Sequence, residues 1–188
     1  MELGKREDIT DATLDLIDEL GLQSVTIAQI LKKAKVGSGT LFNYFRTKDE
    51  LVHEVYRLAR NKMGYSLLEG YDSTASLYER FTSLHRNRIR FGMKNRKEFL
   101  FSDSYSFSPY IPPELRNMDE SGEIQEIMSV LSEGQKQGLI RDMDAKLCHQ
   151  ITYGIVASVL KGYYIQKYDL DEKREKETLE ACWKAIKL

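Results

Sequence analysis

The residues of this chain best suited to chemistry lie in one string, AKVGSGTLFNYFRTKDEL, from Ala34 to Leu51. Gly37, Ser38, Gly39 and Thr40 put small side chains at the start of a short helix predicted over 38–45. Its backbone can therefore come close to a rigid partner, and its free N–H groups and positive dipole end suit a phosphate. Leu41 and Phe45, four residues apart, plug the inner face, which leaves Ser38, Phe42 and Asn43 facing outward. Asparagine reads adenine edges, serine or threonine reads either strand, and an aromatic edge meets thymine methyls. Tyr44 and Lys48 flank the helix within reach of phosphates. The alternative is a helical hairpin whose glycines only permit tight packing.

Catalytic chemistry has no such string. The sequence holds no P-loop, no H-E-x-x-H, no G-x-S-x-G and no G-x-G-x-x-G after a strand. His53, His85 and His149 are far apart, and Cys148 and His149 are adjacent, so they point to different helix faces. No metal, cofactor or enzymatic activity is expected. Cys148 and Cys182 read as buried, reduced thiols. His85 shares a stripe with Phe81 and Ile89 and reads either as a core histidine or as the polar anchor of an apolar pocket. Tyr105, Phe107 and Tyr110, around Pro109, Pro112 and Pro113, form either the lid of that pocket or ordinary loop packing. Met128 and Tyr153 complete the candidate lining. The basic run Arg86, Arg88, Arg90, Lys94, Arg96 and Lys97 spreads around its helix and reads as a solvated surface, with an anion site such as one for an acyl-coenzyme A as the alternative. Gly154, Ser158 and Gly162 recur every four residues, a stripe that admits another helix closely, either in the same subunit or in a second copy.

The elements that must hold these residues are helices. Apolar residues are 41% of 188, the only three prolines lie within five residues, and no Asn-Gly or Asp-Gly hairpin turn separates alternating strands. About nine helices are predicted. The first covers 5–20 and ends at Gly21; the second starts at Thr26, with Gln29 as its capping-box partner. The fourth begins with a Thr47–Glu50 box. Others cover 75–94, 95–103, 119–137 closed by Gly138, a stretch from Asp142 or Asp144 to about Tyr168, and 171–187; 106–115 is a proline loop. No run of 18 apolar residues spans a membrane, and the charged start MELGKREDIT is no signal peptide, so a cytoplasmic protein is expected. Net charge is −1, but residues 1–31 carry −5 and residues 32–62 carry +5, which places the opening string in a basic segment.

The full string resembles the DNA-binding signature of the TetR family of bacterial transcription regulators, approximately A-G-V-S-x-G-T-L-Y-x-Y-F-x-x-K-x-x-L, and Thr26 opens a stretch similar to that family's second helix. Lys35, Gly37 and Phe42 stand where the family has glycine, a hydroxyl cap and tyrosine. The resemblance implies an all-α homodimer. Residues 1–46 form a helix-turn-helix domain that binds a double-stranded, pseudo-palindromic operator through Thr26, Ser38, Gly39, Thr40, Phe42, Asn43, Tyr44 and Lys48. Residues 47–188 form a helical domain that holds a small-molecule inducer and, through Gly154, Ser158, Gly162, Leu179 and Trp183, the dimer interface. A repressor released by its inducer follows; a helical-bundle enzyme or carrier, and a DNA binder without inducer, are the rival readings.

Overall fold

Helix α1, Glu2–Leu20, buries Ile9, Ala12, Thr13, Leu16 and Ile17 along one stripe. It stops at Gly21, whose φ of 76° a side chain would resist. A single 3-10 turn, Leu22–Ser24, leads to α2, Ile27–Ala34. The computed structural model describes residues 2–188, with side chains from Gly4 onward. The α2 capping box is complete: Thr26 Oγ1 accepts the Gln29 N–H at 3.3 Å, and Gln29 Oε1 accepts the Thr26 N–H at 2.8 Å. Lys35 ends α2 in the left-handed region at φ 53°, a conformation that glycine adopts more readily. Helix α3 is Ser38–Tyr44, and α4 is Lys48–Leu67. At α4 the box is altered. Thr47 Oγ1 accepts the Glu50 N–H, but the Glu50 carboxylate accepts from the Arg46 N–H at 2.8 Å.

The remaining helices are α5 Leu77–Lys94, α6 Arg96–Tyr105, α7 Pro113–Arg116, α8 Glu123–Lys136, α9 Ala145–Tyr164 and α10 Glu172–Ile186. Ten α-helices among the described residues exceed the predicted nine, and the surplus is α7, inside the predicted proline loop. The two prolines start it rather than prevent it. Pro112 is its N-cap and Pro113 its first residue, where a missing N–H costs nothing. Asp144, not Asp142, caps α9, accepting the Leu147 N–H at 3.0 Å.

The chain divides into two compact units. The first comprises residues 1–61 and 97–118, the second residues 62–96 and 119–188. The first thus reaches beyond the 46/47 boundary drawn from the sequence, for a packing reason. Leu51, Val52, Val55, Tyr56 and Ala59 of α4 are buried in one core with Ile9, Ile30, Leu41 and Phe45, and Phe101 and Ile111 join them. Tyr56 and Phe101 meet edge to face at 6.0 Å. The second unit packs α5, α8, α9 and α10 around Phe81, Leu84, Ile89, Ile127, Leu131, Val156, Leu160, Leu179 and Ile186.

Candidate nucleic-acid interface and effector site

In the first unit α3 turns Leu41 into the core and leaves Ser38, Gly39, Phe42 and Asn43 exposed. Gly37 caps α3 with extended backbone, φ −81° and ψ 160°, and no side chain. Phe45 closes α3 from beneath, with the Arg6 guanidinium 5.5 Å from its ring centroid. Thr40 and Tyr44 are half-buried at the edges of the exposed face. Thr26 is exposed, but its hydroxyl already serves the α2 capping box.

Lys48 has a second task that the sequence did not announce. Its Nζ donates to the Leu22 carbonyl at 3.2 Å and to the Val25 carbonyl, tying α4 to the turn before α2. Two of its three N–H donors are used within the protein, leaving one for a phosphate. The same turn is held from the other side, where the Leu22 N–H donates to Tyr105 Oη at 3.1 Å. Lys97 pairs with Asp15 at 2.5 Å, and His53 Nε2 donates to the Tyr110 carbonyl at 2.8 Å. The segment carrying Tyr105, Phe107 and Tyr110 is therefore part of the first unit, not of the unit that holds Phe81, His85 and Ile89. Of the two readings for Tyr105, pocket lid and loop packing, its hydrogen bond to the Leu22 N–H supports packing within the first unit. Phe107 is 82% exposed.

In the second unit the structure gathers Phe81, His85, Ile89 and Tyr153, with Arg88 added. Phe81 and His85 stack with centroids 4.2 Å apart. The His85 Nδ1–H donates to the Phe81 carbonyl at 2.9 Å, which fixes the tautomer, because a carbonyl only accepts. Nε2 is thereby a lone-pair acceptor, fully buried and without a hydrogen bond. Burial, and then the nearby Arg88 charge, pull the His85 pKa down to about 3, so the ring is neutral. Arg88 is buried too, its guanidinium 5.4 Å from the Tyr153 ring centroid. The sequence reading left Arg88 on a solvated surface. Its spacing, three residues after His85, carried the signal that they share a face. Met128 is half-buried on α8. Elsewhere in the basic run Arg86 and Arg90 both pair with Glu175 at 3.2 Å, and Arg96 lies over Tyr164.

The interface residues divide as well. Gly154 has open space where a Cβ would stand, and Ser158 is exposed. Gly162 is spent inside the subunit, since a Cβ there would lie 2.3 Å from Tyr168 Oη. Leu179 is in the core, and Trp183 meets Tyr78 and Phe81 edge to face at 5.3 and 5.2 Å. Leu179 and Trp183 face their own unit, because they lie beside Cys182 and Ile186 on the buried side of α10. Both cysteines are free and buried, and burial pushes the Cys182 thiol up to about 12. Among the described residues no group of His, Cys, Asp and Glu could hold a metal ion, and no helix is long and apolar enough to cross a membrane.

Residues 9–55 match the family described as bacterial regulatory proteins, tetR family, and residues 60–188 match the tetracyclin repressor-like C-terminal domain. The chain is 26% identical over 180 residues to the fatty acid metabolism regulator protein of Bacillus subtilis (strain 168), covering 88% of each. Its fold is similar to a TetR family transcription regulator from Marinobacter aquaeolei VT8, with TM-score 0.88 at 16% identity over 98% of this chain and 96% of that one. It is also similar to the transcriptional regulator FadR from Bacillus subtilis in complex with stearoyl-CoA, with TM-score 0.77 at 21% identity over 96% and 98%. An exposed α3 face on a small helical head, together with family matches from residue 9 to residue 188, leads to one conclusion: the chain belongs to the tetR family of bacterial regulatory proteins and is a ligand-responsive, DNA-binding transcription regulator.

Proposed function

We propose that the protein is a cytoplasmic repressor that binds a pseudo-palindromic operator as a homodimer and leaves it when a small-molecule inducer occupies the second unit. The observation that carries this reading is the exposed run Ser38, Gly39, Phe42 and Asn43 on α3, backed by a buried Leu41. Asn43 reads a base edge, Ser38, Thr40 and Phe42 complete the groove contact, and Tyr44 and the remaining Lys48 N–H hold phosphates. Two such heads in a dimer engage half-sites about 34–36 Å apart, one helical turn. Gly154 and Ser158 support an interface through α9, and the groove beside them, about 320 Å³, is lined by Ile155, Val159, Thr178 and Ala181.

The inducer binds at Phe81, His85, Ile89, Tyr153 and Met128. To release DNA it must prefer the non-binding form of the dimer, and about 100-fold preference gives about 2.7 kcal/mol of coupling. Long-chain acyl thioesters are the first class to test, because a similar fold carries stearoyl-CoA. The experiment selects an operator from a random DNA pool with the purified protein. Fluorescence anisotropy then follows the complex with and without stearoyl-CoA and a panel of apolar metabolites. Sequence-selective binding that some panel member reverses supports the reading. Enrichment of no sequence removes it, and selective binding that no compound reverses favours a DNA binder without inducer.

A further inference from the structure

Among the described residues, two that are not glycine take a positive φ: Lys35 at 53° and Gln166 at 56°. Elsewhere the chain meets this need with glycine, at Gly21, Gly70, Gly122 and Gly138. Lys35 has no freedom to leave the conformation. It is the C-cap of α2, its N–H donates to the Leu31 carbonyl, and the Val36 N–H donates to the same carbonyl at 3.1 Å. Ala34 before it is buried and Val36 after it packs on the core of the first unit, so both flanks of the turn are fixed. The lysine side chain between them is exposed and stands outside that core. A β-carbon in the left-handed region is a standing cost that glycine would remove. A lysine with no task beyond solvation does not need this position.

The charges of the first unit point to a use. Several of its cations are taken up within the protein. Lys33 pairs with Glu19 at 2.6 Å and with Asp15 at 3.7 Å, Arg6 pairs with Glu54 at 2.8 Å, and Lys48 donates to the carbonyls of Leu22 and Val25. Lys35 has no ion pair among the described residues. It stands three residues before Ser38, so its Cα lies at most about 11 Å from that of the first exposed residue of α3. We infer that Lys35 is a phosphate-binding residue: its ammonium contacts the DNA backbone beside the bases that α3 reads, and the left-handed turn is the position from which it reaches. This rests on the reading that the α3 face meets the operator. A lysine in the turn lies outside the helix that enters the groove, and a compact charge on a flexible stem suits a phosphate oxygen. The two roles of the position then have opposite signs. The penalty of the β-carbon exceeds the entropy that glycine gives up on folding, so lysine weakens the head while it strengthens DNA binding.

Four variants of the full-length protein are compared with wild type: Lys35→Gly, Lys35→Ala, Lys35→Arg and, as a control for net charge, Lys173→Gln on the exposed face of α10. Fluorescence anisotropy over a salt series measures binding to the selected operator and to a random duplex of the same length, and thermal unfolding gives Tm. Lys35→Ala and Lys35→Gly are expected to weaken binding to both DNAs about eightfold per bound head at about 0.1 M salt, and to lower the slope of log K against log salt by about one unit per head. Lys35→Arg keeps the charge and Lys173→Gln removes one elsewhere, so both should stay within about twofold of wild type. Lys35→Gly should unfold a few degrees above wild type, and Lys35→Ala, which keeps the β-carbon, close to it. An unchanged slope for Lys35→Ala and Lys35→Gly overturns the inference. So does weakening confined to the operator, which would make Lys35 a base reader, or equal weakening by Lys173→Gln, which would reduce the effect to net charge. A Tm for Lys35→Gly at or below wild type overturns it too, because the lysine would then serve the fold. Wild-type protein that binds DNA while its Lys35 variants bind equally well sinks this inference alone; wild-type protein that binds neither DNA sinks the reading of the α3 face with it.

Discussion

At the scale of single residues, the chain separates reading from holding. Asn43 is exposed on α3, which suits a base edge, while Lys48 gives donors to two backbone carbonyls. Asn43→Ala should lose about 1–3 kcal/mol of discrimination between the selected operator and single-base variants, with little change in binding to random DNA. Equal weakening on every sequence would deny it the reading role. Lys48→Ala should flatten the plot of log K against log salt by about one unit. It should also destabilise the head by about 1–3 kcal/mol, because the carbonyls of Leu22 and Val25 lose a charged donor. A stability loss with an unchanged salt slope would make Lys48 a brace alone. His85 gives a further measurable sign. Its folded pKa lies near 3, below its ordinary value of 6.5, so below pH 6.5 the unfolded chain holds a proton that the folded one does not. Stability contributed by the neutral ring is therefore complete above pH 6.5 and lost as pH falls towards 3, at up to about 1.4 kcal/mol per pH unit. His85→Gln should remove that slope from urea unfolding measured between those limits, and a slope identical to wild type would mean that His85 is protonated in the fold.

At the scale of elements, α9 shows how one repeating spacing serves two purposes. Gly154, Ser158 and Gly162 recur every four residues, yet a Cβ at Gly154 meets nothing and a Cβ at Gly162 meets the Tyr168 hydroxyl, which donates to the Val159 carbonyl at 2.8 Å. Gly162→Ala should displace Tyr168 and destabilise the unit by about 1–3 kcal/mol, since overpacking outweighs the gain in helix propensity. Gly154→Ala has no such neighbour in the subunit and should stabilise an isolated subunit by up to about 1 kcal/mol. Thermal unfolding of the two variants side by side tests the contrast, and equal effects would contradict it. The segment of residues 97–118 is the other lesson at this scale. Tyr105, Lys97 and Ile111 make it a buttress of the DNA-binding head, through a backbone N–H, an ion pair and a buried side chain.

For the molecule as a whole, the prediction concerns assembly. If copies meet through the open part of α9, Ser158→Arg places a charge without a partner where helices approach closely, at a cost well above that of a surface substitution. Sedimentation should then give a monomer, and operator affinity should fall because the two heads are no longer linked. An intact Ser158→Arg dimer would move the interface to another face.

The string from Ala34 to Leu51 determined, without any structure, the inward Leu41 and Phe45 and the outward Ser38, Phe42 and Asn43. Those follow from local geometry, a spacing of four on one helix. The boundaries of α2, α5 and α10 were legible for the same reason. What the sequence could not decide is which neighbour covers each face. Arg88 reads as one charge in a solvated run until α9 lays Tyr153 over it; Leu179 and Trp183 read as interface until α5 packs against them. Lys48 and Tyr105 bridge 26 and 83 residues to reach the same turn at Leu22, a pairing that no local pattern encodes. Burial belongs to the pair of surfaces in contact, and only the tertiary fold selects the pair.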